Sequence, residues 1–308
     1  MPDRALSSAK PSPPVERLGI VGSGRVARAL AWRLCAAGLP VRLHARSPEK
    51  AADAVAMIAG AGVEADLVAL VEWCDALALC VADDALPGVI ETLVPALGAC
   101  GPARRLVFHV SGRSGADVLA PLRDAGAQVA AIHPAMTFTG DPALEAQRMA
   151  GARFAVTAPD AATQAWAEAL VALFGGVAVP VAEAQRSLYH AALCHAANHL
   201  VSLIAGAEKA LAAAGVAEPW ALMAPLVEAA LGNSLAHGFA ALSGPLLRGD
   251  AGTIAGHLDA LRGASPSVLP AYRAMALATL DQLAERPGPD PRDTDRDHVL
   301  RDLLATGG

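Results

Sequence analysis

The chain has 308 residues and a formal net charge of −6, because 24 Lys and Arg stand against 30 Asp and Glu. No block of basic residues stands out, which argues against a nucleic-acid binder that depends on phosphate contacts. Hydrophobic residues make up 54% of the chain and charged residues 18%, which excludes a largely disordered protein.

The first part of the chain alternates between short apolar runs and helical patterns. Residues 1–16 are rich in Pro and Ser, and we expect them to form a flexible tail. The alternation predicts a Rossmann domain over 17–182, an α/β domain with a doubly wound, mostly parallel sheet. Its predicted strands are 17–21, 41–44, 76–81, 106–110, 128–132, 153–157 and 177–181, with a further apolar run at 67–71. Its predicted helices are 26–37, 51–59, 86–97, 116–125 and 161–174.

The pattern changes near residue 182. Residues 183–285 show no strand pattern, and Gly and Pro residues break them into successive helical segments. We therefore expect an all-helical second domain. Its predicted helices are 184–214, 220–241, 251–261 and 270–284. Residues 286–308 are predicted to be a polar linker and a tail, with a short helix at 298–305.

The first predicted strand runs into a glycine-rich loop with the pattern G-x-G-x-x-A, directly before a predicted helix. Gly22 permits a tight turn, Gly24 lets a pyrophosphate approach the backbone, and Ala27 allows close packing of helix and strand. The helix N-terminus offers free N–H groups to phosphates. This context favours a dinucleotide site over an ordinary glycine-rich turn. The predicted contacts are Gly22, Ser23, Gly24, Arg25, Val26 and Ala27.

The end of the second predicted strand indicates which dinucleotide binds. NAD-binding domains place Asp or Glu there, on the ribose hydroxyls, but this chain has Arg46 and Ser47. Arg46 can pair with a 2′-phosphate and Ser47 can donate to it, so NADP is predicted over NAD, although a solvated surface Arg is the alternative. Val81 and Asp83, at the end of the strand 76–81, belong to the same edge. Helix capping by Asp83 or Asp84 is an equally good explanation.

Polar residues after the next two predicted strands point to substrate binding. Ser111 and Arg113 follow the strand 106–110, without the G-x-S-x-G spacing of a nucleophile elbow. We interpret them as contacts to an anionic substrate. His133 follows at the end of the strand 128–132 and belongs to the same rim, although a buried, hydrogen-bonded histidine is an equal alternative.

The predicted helix 184–214 carries the candidate catalytic residues. At about 100° per residue, Asn198 lies about 80° from His190, so both can face one side. An imidazole can donate a proton to a carbonyl or imine, and Asn198 could orient the substrate or the nicotinamide. Helix packing explains both residues nearly as well. His195 and His199 have i, i+4 spacing, but the H-E-x-x-H pattern and an evident third ligand are missing, so no metal is predicted.

Cysteine usage and hydropathy indicate the compartment. The five Cys form no C-x-x-C pair, which favours a reducing environment over a disulfide framework or a zinc site. The N-terminus lacks the apolar segment of a signal peptide. The segment 187–207 is free of charged residues, but it contains three His and one Asn, so a buried helix explains it better than a membrane span. We expect a cytoplasmic protein with no membrane or nucleic-acid partner.

Six segments in this order resemble a known group: GSGRVARAL, HVSGRSGADVL, IHPAMTF, RFAVTAPD, LYHAALCHAANHLVSL and SGPLLRGD. Together they resemble bacterial Rossmann-like proteins with a C-terminal domain of unknown function. That family is similar to the superfamily of ketopantoate reductase, pyrroline-5-carboxylate reductase and 3-hydroxyacid dehydrogenase. The resemblance covers about 17–284. It implies NADP binding and a helical C-terminal domain like that of 6-phosphogluconate dehydrogenase, which often builds a homodimer.

The chain departs from the superfamily at one position. Ketopantoate reductases and hydroxyacid dehydrogenases use a Lys early in the first long helix of the second domain, with an Asn one turn later. Here His190 takes the comparable early position and Asn198 lies two turns later, while the lysines are Lys10, Lys50 and Lys209. Either His190 replaces that Lys as the acid, or the chemistry differs.

Three hypotheses follow. The first is an NADPH-dependent reductase of a small oxo or imino acid, ketopantoate-like or pyrroline-carboxylate-like, with His190 as proton donor, Asn198 as orienter, and Ser111 with Arg113 as carboxylate ligands. The second is an NADP-binding regulatory or scaffold protein without turnover, which the missing Lys favours. The third is a metal-dependent hydrolase that uses the helical histidines. A deazaflavin stays open as the hydride partner.

Overall fold

A computed structural model describes residues 15–101, 105–286 and 294–305. By contact density the chain divides into two compact units, one ending at Leu193 and the other beginning at Cys194. Among the helices described, none is long and apolar enough to cross a membrane. Residues 1–14 of the predicted tail and most of the predicted linker lie outside the described residues.

The first unit is built on an eight-stranded sheet of order β3-β2-β1-β4-β5-β6-β7-β8. Strands β1 to β6 are parallel, β7 runs antiparallel to β6, and β8 is parallel to β7. This confirms the predicted doubly wound, mostly parallel sheet. The strands are β1 Leu18–Val21, β2 Val41–His44, β3 Ala61–Val63, β4 Ala76–Leu79, β5 Leu106–His109, β6 Gln128–Pro134, β7 Arg153–Thr157 and β8 Val177–Pro180.

Helices connect these strands and cover both faces of the sheet. Several begin at an Asp or Ser whose side chain accepts a hydrogen bond from a first-turn amide, as Asp160 does before α7. The helices are α1 Arg25–Ala36, α2 Pro48–Ala56, α3 Leu67–Trp73, α4 Leu86–Ala99, α5 Ala120–Asp124, α6 Pro142–Arg148 and α7 Ala161–Leu173. Short 3₁₀ turns, Ala116–Leu119 and Glu183–Gln185, precede α5 and follow β8.

The core lies on both faces of the sheet, and strand β4 shows how. Ala76 and Ala78 face the cluster formed with α1 and α7, whereas Leu77 and Leu79 face the cluster formed with α3, α4 and α5. Successive strand residues point to opposite faces, so a sheet covered on both sides needs strands that are apolar throughout. This explains why the strands read as continuous hydrophobic runs.

Some elements differ from the sequence-based prediction. The apolar run 67–71 is the start of helix α3, which Asp66 caps, and the predicted helix 116–125 begins as a 3₁₀ turn. Strand β3 and helix α6 were not predicted. Strand β3 is only three residues long, and α6 has seven, so neither holds enough residues for a periodic pattern.

The C-terminal region is helical in its described residues, as predicted. Helix α8 extends across the division at Leu193 and Cys194. Buried Ile254, Leu258 and Leu280 form a small core with Leu300 and Leu304. The helices are α8 Arg186–Ala213, α9 Pro219–His237, α10 Pro245–Arg248, α11 Ala251–Ala264, α12 Leu269–Ala284 and α13 Thr294–Ala305, with a 3₁₀ turn at Gly238–Ala241. The domain boundary at 182–183 stays a prediction.

Candidate functional site

A groove of about 970 Å³ lies at the carboxyl ends of β1, β2 and β4 in the first unit. Ligands of open parallel sheets bind at this edge, where the strand order reverses. Its walls include six of the ten predicted cofactor-binding residues: Gly22, Ser23, Gly24, Arg46, Ser47 and Val81.

The two glycines of the loop differ in what surrounds them. Gly22 has a φ of 123°, and a Cβ built there would lie 2.2 Å from the carbonyl oxygen of Cys80, so no side chain fits. A Cβ at Gly24 would meet nothing within 4 Å. Gly22 therefore fixes the turn, and Gly24 leaves open space over the backbone, which is where a pyrophosphate needs to approach.

Helix α1 presents its N-terminus to this loop. Gly24 is the N-cap residue, no side chain of the described residues caps it, and the first turn carries no acidic residue. The first amides of a helix have no intrahelical acceptor, and the helix dipole favours an anion near them. The loop therefore has the chemistry of a phosphate site.

Cations gather at the end of β2. Arg46 and Lys50 both line the groove beside Ser47. Ser47 caps α2 by accepting from the Lys50 amide at 3.2 Å, and its hydroxyl donates to the Glu49 carboxylate at 2.7 Å, which lowers the pKa of Glu49. Sequence reasoning missed Lys50, although its place three residues after the capping Ser47 was a usable signal.

The remaining predicted cofactor contacts lie outside the groove walls. Arg25 donates to the Phe138 carbonyl oxygen at 3.1 Å, and Ala27 is fully buried against the sheet. Val26 packs at the edge of the same core. Asp83 forms an ion pair with Arg113, with 3.0 Å between Asp83 Oδ2 and Arg113 Nε. Cofactor contact by these four residues stays a prediction.

A second cluster of polar side chains follows β5. The amide of Ser111 donates to Nδ1 of His109 at 3.1 Å, and His109 Nε2 lies 2.8 Å from the Gly115 carbonyl oxygen. Nδ1 is thus an acceptor and Nε2 carries the proton, which fixes a neutral imidazole. Ser111 Oγ accepts from the Ser114 amide at 3.3 Å. Ser111 therefore stabilises this loop in the described structure.

The histidines predicted on β6 and α8 meet beside this loop. The rings of His133 and His190 are edge to face, with centroids 6.0 Å apart, and Tyr189 Oη lies 2.9 Å from His133 Nδ1. A Cβ built on Gly112 would lie 2.5 Å from His190 Cδ2 and 3.0 Å from His133 Nε2. Gly112 thus lets both imidazoles approach the backbone. Sequence reasoning predicted His133 and His190 but not Tyr189.

Burial keeps two of these imidazoles uncharged. Desolvation lowers the pKa of His109 to about 4, against a partial opposing effect of its hydrogen bond to Gly115. Desolvation also lowers the pKa of His133 to about 4, and the nearby Arg186 cation acts in the same direction. Neither side chain is a ready proton donor at neutral pH.

Asn198 and the histidine pair lie further along α8, in the second unit. His195 Nδ1 and His199 Nδ1 are 3.1 Å apart and both side chains are exposed. Within the described ranges no group of three or more His, Cys, Asp and Glu is arranged to hold a metal ion.

Two family models match the chain. A Rossmann-like domain matches residues 3–134, and a domain of unknown function, DUF2520, matches residues 152–279. The two matches follow one another along the chain, and each covers less than half of it. This confirms the resemblance drawn from the six sequence segments. No curated protein matches the chain.

Solved structures of similar fold include reductases. A Bacteroides fragilis protein assigned as an NADP oxidoreductase has a TM-score of 0.70 at 20% identity, covering 86% of this chain and 97% of its own. A reductive aminase from Aspergillus terreus, in complex with NADPH and ethyl levulinate, has a TM-score of 0.62 at 20% identity, and the match covers 93% of this chain and 99% of the aminase. An imine reductase from Myxococcus stipitatus, in complex with NADP⁺, has a TM-score of 0.61 at 17% identity, and the match covers 87% of this chain and 93% of the reductase. At such identities these likenesses show a shared fold.

The low pKa of His109 predicts an acid-sensitive fold. Its folded pKa of about 4 lies below the ordinary value near 6.5, so acid protonates the unfolded chain first. The free energy of unfolding should be unaffected above about pH 6.5 and should fall as the pH drops toward 4, by about 2 kcal/mol at pH 5 from this residue. Urea unfolding at pH 7 and pH 5 measures it.

The variant His109→Gln should show a smaller loss between pH 7 and pH 5 than the wild type. The exposed His237, at the end of α9, supplies the control. His237→Gln should keep the wild-type pH dependence. Equal losses in the wild type and in His109→Gln would contradict the prediction.

Proposed function

We propose that this protein is an NADP(H)-dependent oxidoreductase that reduces a small oxo or imino acid. The observation that carries the proposal is the groove at the ends of β1, β2 and β4. It combines an open glycine-rich loop, an uncapped helix N-terminus and the cations Arg46 and Lys50. The residues present thus fit a phosphorylated dinucleotide.

The end of β2 supports NADP over NAD. The segment from His44 to Ser47 holds no carboxylate that could accept hydrogen bonds from the ribose hydroxyls. Glu64, at the end of β3, is engaged by Arg42 at 3.0 Å. Arg46 and Lys50 can pair with a 2′-phosphate, to which the Ser47 hydroxyl can donate in place of Glu49. The A. terreus and M. stipitatus enzymes of similar fold are bound to NADPH or NADP⁺, which supports the same choice.

The chemistry divides between the cofactor and the chain. When bound, NADPH supplies a hydride. His190 donates a proton to the oxygen or nitrogen that becomes an alcohol or amine, and Asn198 orients that atom. Ser111 and Arg113 bind the substrate carboxylate. Arg113 then pairs with that carboxylate in place of Asp83. Half-buried, neutral His133 contacts substrate by hydrogen bonding and leaves proton donation to His190.

Cofactor titration tests the first half of the proposal. Purified protein should bind NADPH more tightly than NADH, measured by nicotinamide fluorescence. Arg46→Ala should weaken NADPH at least about tenfold, because a charge-assisted phosphate contact is lost, and should leave NADH nearly unchanged. Arg123→Ala, on α5 and away from the groove walls, is the matched control. Equal binding of both nucleotides, or of neither, would overturn the NADP assignment.

Turnover tests the second half. With a substrate found by screening oxo and imino acids for NADPH oxidation, His190→Ala should lower kcat by about 10²–10⁴-fold while the Kd for NADPH stays within twofold, because only proton donation is removed. Steady-state kinetics and the same fluorescence titration measure the two values. Wild-type kcat in the variant would remove His190 from the mechanism. Tight NADPH binding with no turnover of any acid would favour a regulatory or scaffold protein.

We also propose that the helical unit forms a homodimer. In α9, which the structure describes throughout, only Met223 is buried, whereas Leu222, Leu226 and Leu235 are 59%, 71% and 81% exposed. A helix that is apolar on all sides is normally covered by protein. The same unit contains an apolar cavity of about 1410 Å³ beside α9. A second copy of this surface would cover both.

Light scattering after gel filtration tests the dimer. The wild type should elute at twice the chain mass of 31.2 kDa. The double variant Leu226→Glu, Leu235→Glu should elute as a monomer, because the charges cannot be buried in an apolar interface. Met57→Glu, at a 61% exposed residue of the first unit, should leave the mass unchanged. A monomeric wild type would contradict the proposal.

A further inference from the structure

The first residue of α8 is a buried arginine. The Arg186 side chain is 1% exposed. Its Nε donates to Thr157 Oγ1 at 2.7 Å, and its Nη2 donates to the carbonyl oxygens of Ala131 at 2.9 Å and Ala155 at 3.2 Å. The Thr157 hydroxyl donates in turn to the Val181 carbonyl oxygen, so its oxygen is free to accept from Arg186. One guanidinium thus joins α8 to both strands of the antiparallel pair β6 and β7.

Stability alone gives a poor reason for this arrangement. Among the described residues no carboxylate lies within ion-pair distance of Arg186, and its Nη1 has no hydrogen-bond partner there. A buried charge without an ion-pair partner destabilises the fold through lost solvation, and an apolar side chain of similar size would avoid that cost. What the guanidinium adds is a fixed fork of donors, which sets direction as well as distance.

The Arg186 guanidinium thereby fixes the orientation of the next turn of α8. Tyr189 and His190 lie three and four residues after Arg186, so they share its side of the helix. The Tyr189 ring lies under the guanidinium, with 5.9 Å from its centroid to Cζ, and its hydroxyl reaches His133. The His190 ring packs edge to face on His133. A shift of the first turn of α8 would move both contacts together.

We infer that Arg186 is a positioning residue, whose buried guanidinium fixes the first turn of α8 to β6 and β7 and so aligns Tyr189 and His190 with His133. The alignment itself follows from the contacts of the first unit. Its effect on turnover rests on the proposed function, in which His190 donates the proton.

The charge of Arg186 has a second effect on the cluster. The charged and titratable groups that face His133 are Arg186, Tyr189 and His190 on α8, His109 on β5 and Asp83 after β4. Arg186 lowers the pKa of His133 and of His109, in addition to burial. Substitutions at Arg186 can therefore test the effect of its hydrogen-bonding geometry and the effect of its charge separately.

Two variants separate them. Arg186→Met removes both the fork and the charge, and Arg186→Lys keeps the charge but cannot reach three acceptors with fixed geometry. Arg153→Met is the matched control, because Arg153 lies on the same β7 but its side chain is exposed and donates to the nearby Gly151 carbonyl oxygen. The readouts are imidazole NMR titrations of the wild type and variants, the Kd for NADPH, and kcat with KM.

With Arg186→Met, we expect the pKa of His133 to rise and the His190 ring resonances to shift. With Arg186→Lys, the pKa of His133 should stay low while the His190 resonances still shift. Both variants should lose about 10²-fold in kcat with less change in KM, since misplacement of a catalytic group by about 1 Å has that effect. The Kd for NADPH should stay within twofold, and Arg153→Met should match the wild type.

Unchanged His190 resonances in both folded variants would overturn the inference. If Arg186→Met does not fold, Arg186→Lys decides by the same criterion. The NMR readout needs no substrate, so a wild type that reduces no oxo or imino acid would refute the proposed function without touching the role of Arg186. Shifted resonances with wild-type kcat would limit Arg186 to a structural role and contradict the positioning of a catalytic group.

Discussion

The turn from β1 into α1 depends on a backbone contact that leaves no room for a side chain. Gly22, with its positive φ, lies against the carbonyl group of Cys80, so β1 and β4 can stay paired while the chain turns sharply into α1. Because of that turn, the amides of α1 face the open edge of the sheet, and the end of β2 lies beside them. The groove, its cations and its phosphate chemistry all follow from this one backbone approach.

Much of this edge could be predicted from sequence because its signals are local. Gly22 and Gly24 directly follow β1, and Arg46 lies two residues after β2, which are the places where a dinucleotide-binding domain carries its glycine loop and its ribose contact. The direction of β7 could not be predicted, since a parallel and an antiparallel strand have the same composition. Lys50 was missed because it lies in the first turn of α2, beyond the loop residues that the dinucleotide motif covers.

The second cluster shows a different limit. His133 and His190 were predicted separately, but only tertiary structure brings a residue of β6 next to one of α8. Arg186 was missed because a lone Arg in a polar segment usually remains in water, and nothing local indicates that three acceptors from two strands surround it. The sequence shows Gly112 as a small residue in a loop, but it does not indicate that two imidazoles pack against it.

Strand β6 is longer than its neighbour β5, and the first turn of α8 follows the extra residues. Ala131 pairs with His109, the last residue of β5, and with Thr157, the last residue of β7, so the end of β6 continues past the end of β5. Arg186 contacts this level, at Ala131, and Tyr189, one turn later, contacts His133, two residues further along β6. The first turn of α8 therefore runs in the same direction as β6, from the level where β5 ends to residues beyond it. If β6 ended level with β5, no strand residue would lie where Tyr189 and His190 now contact His133.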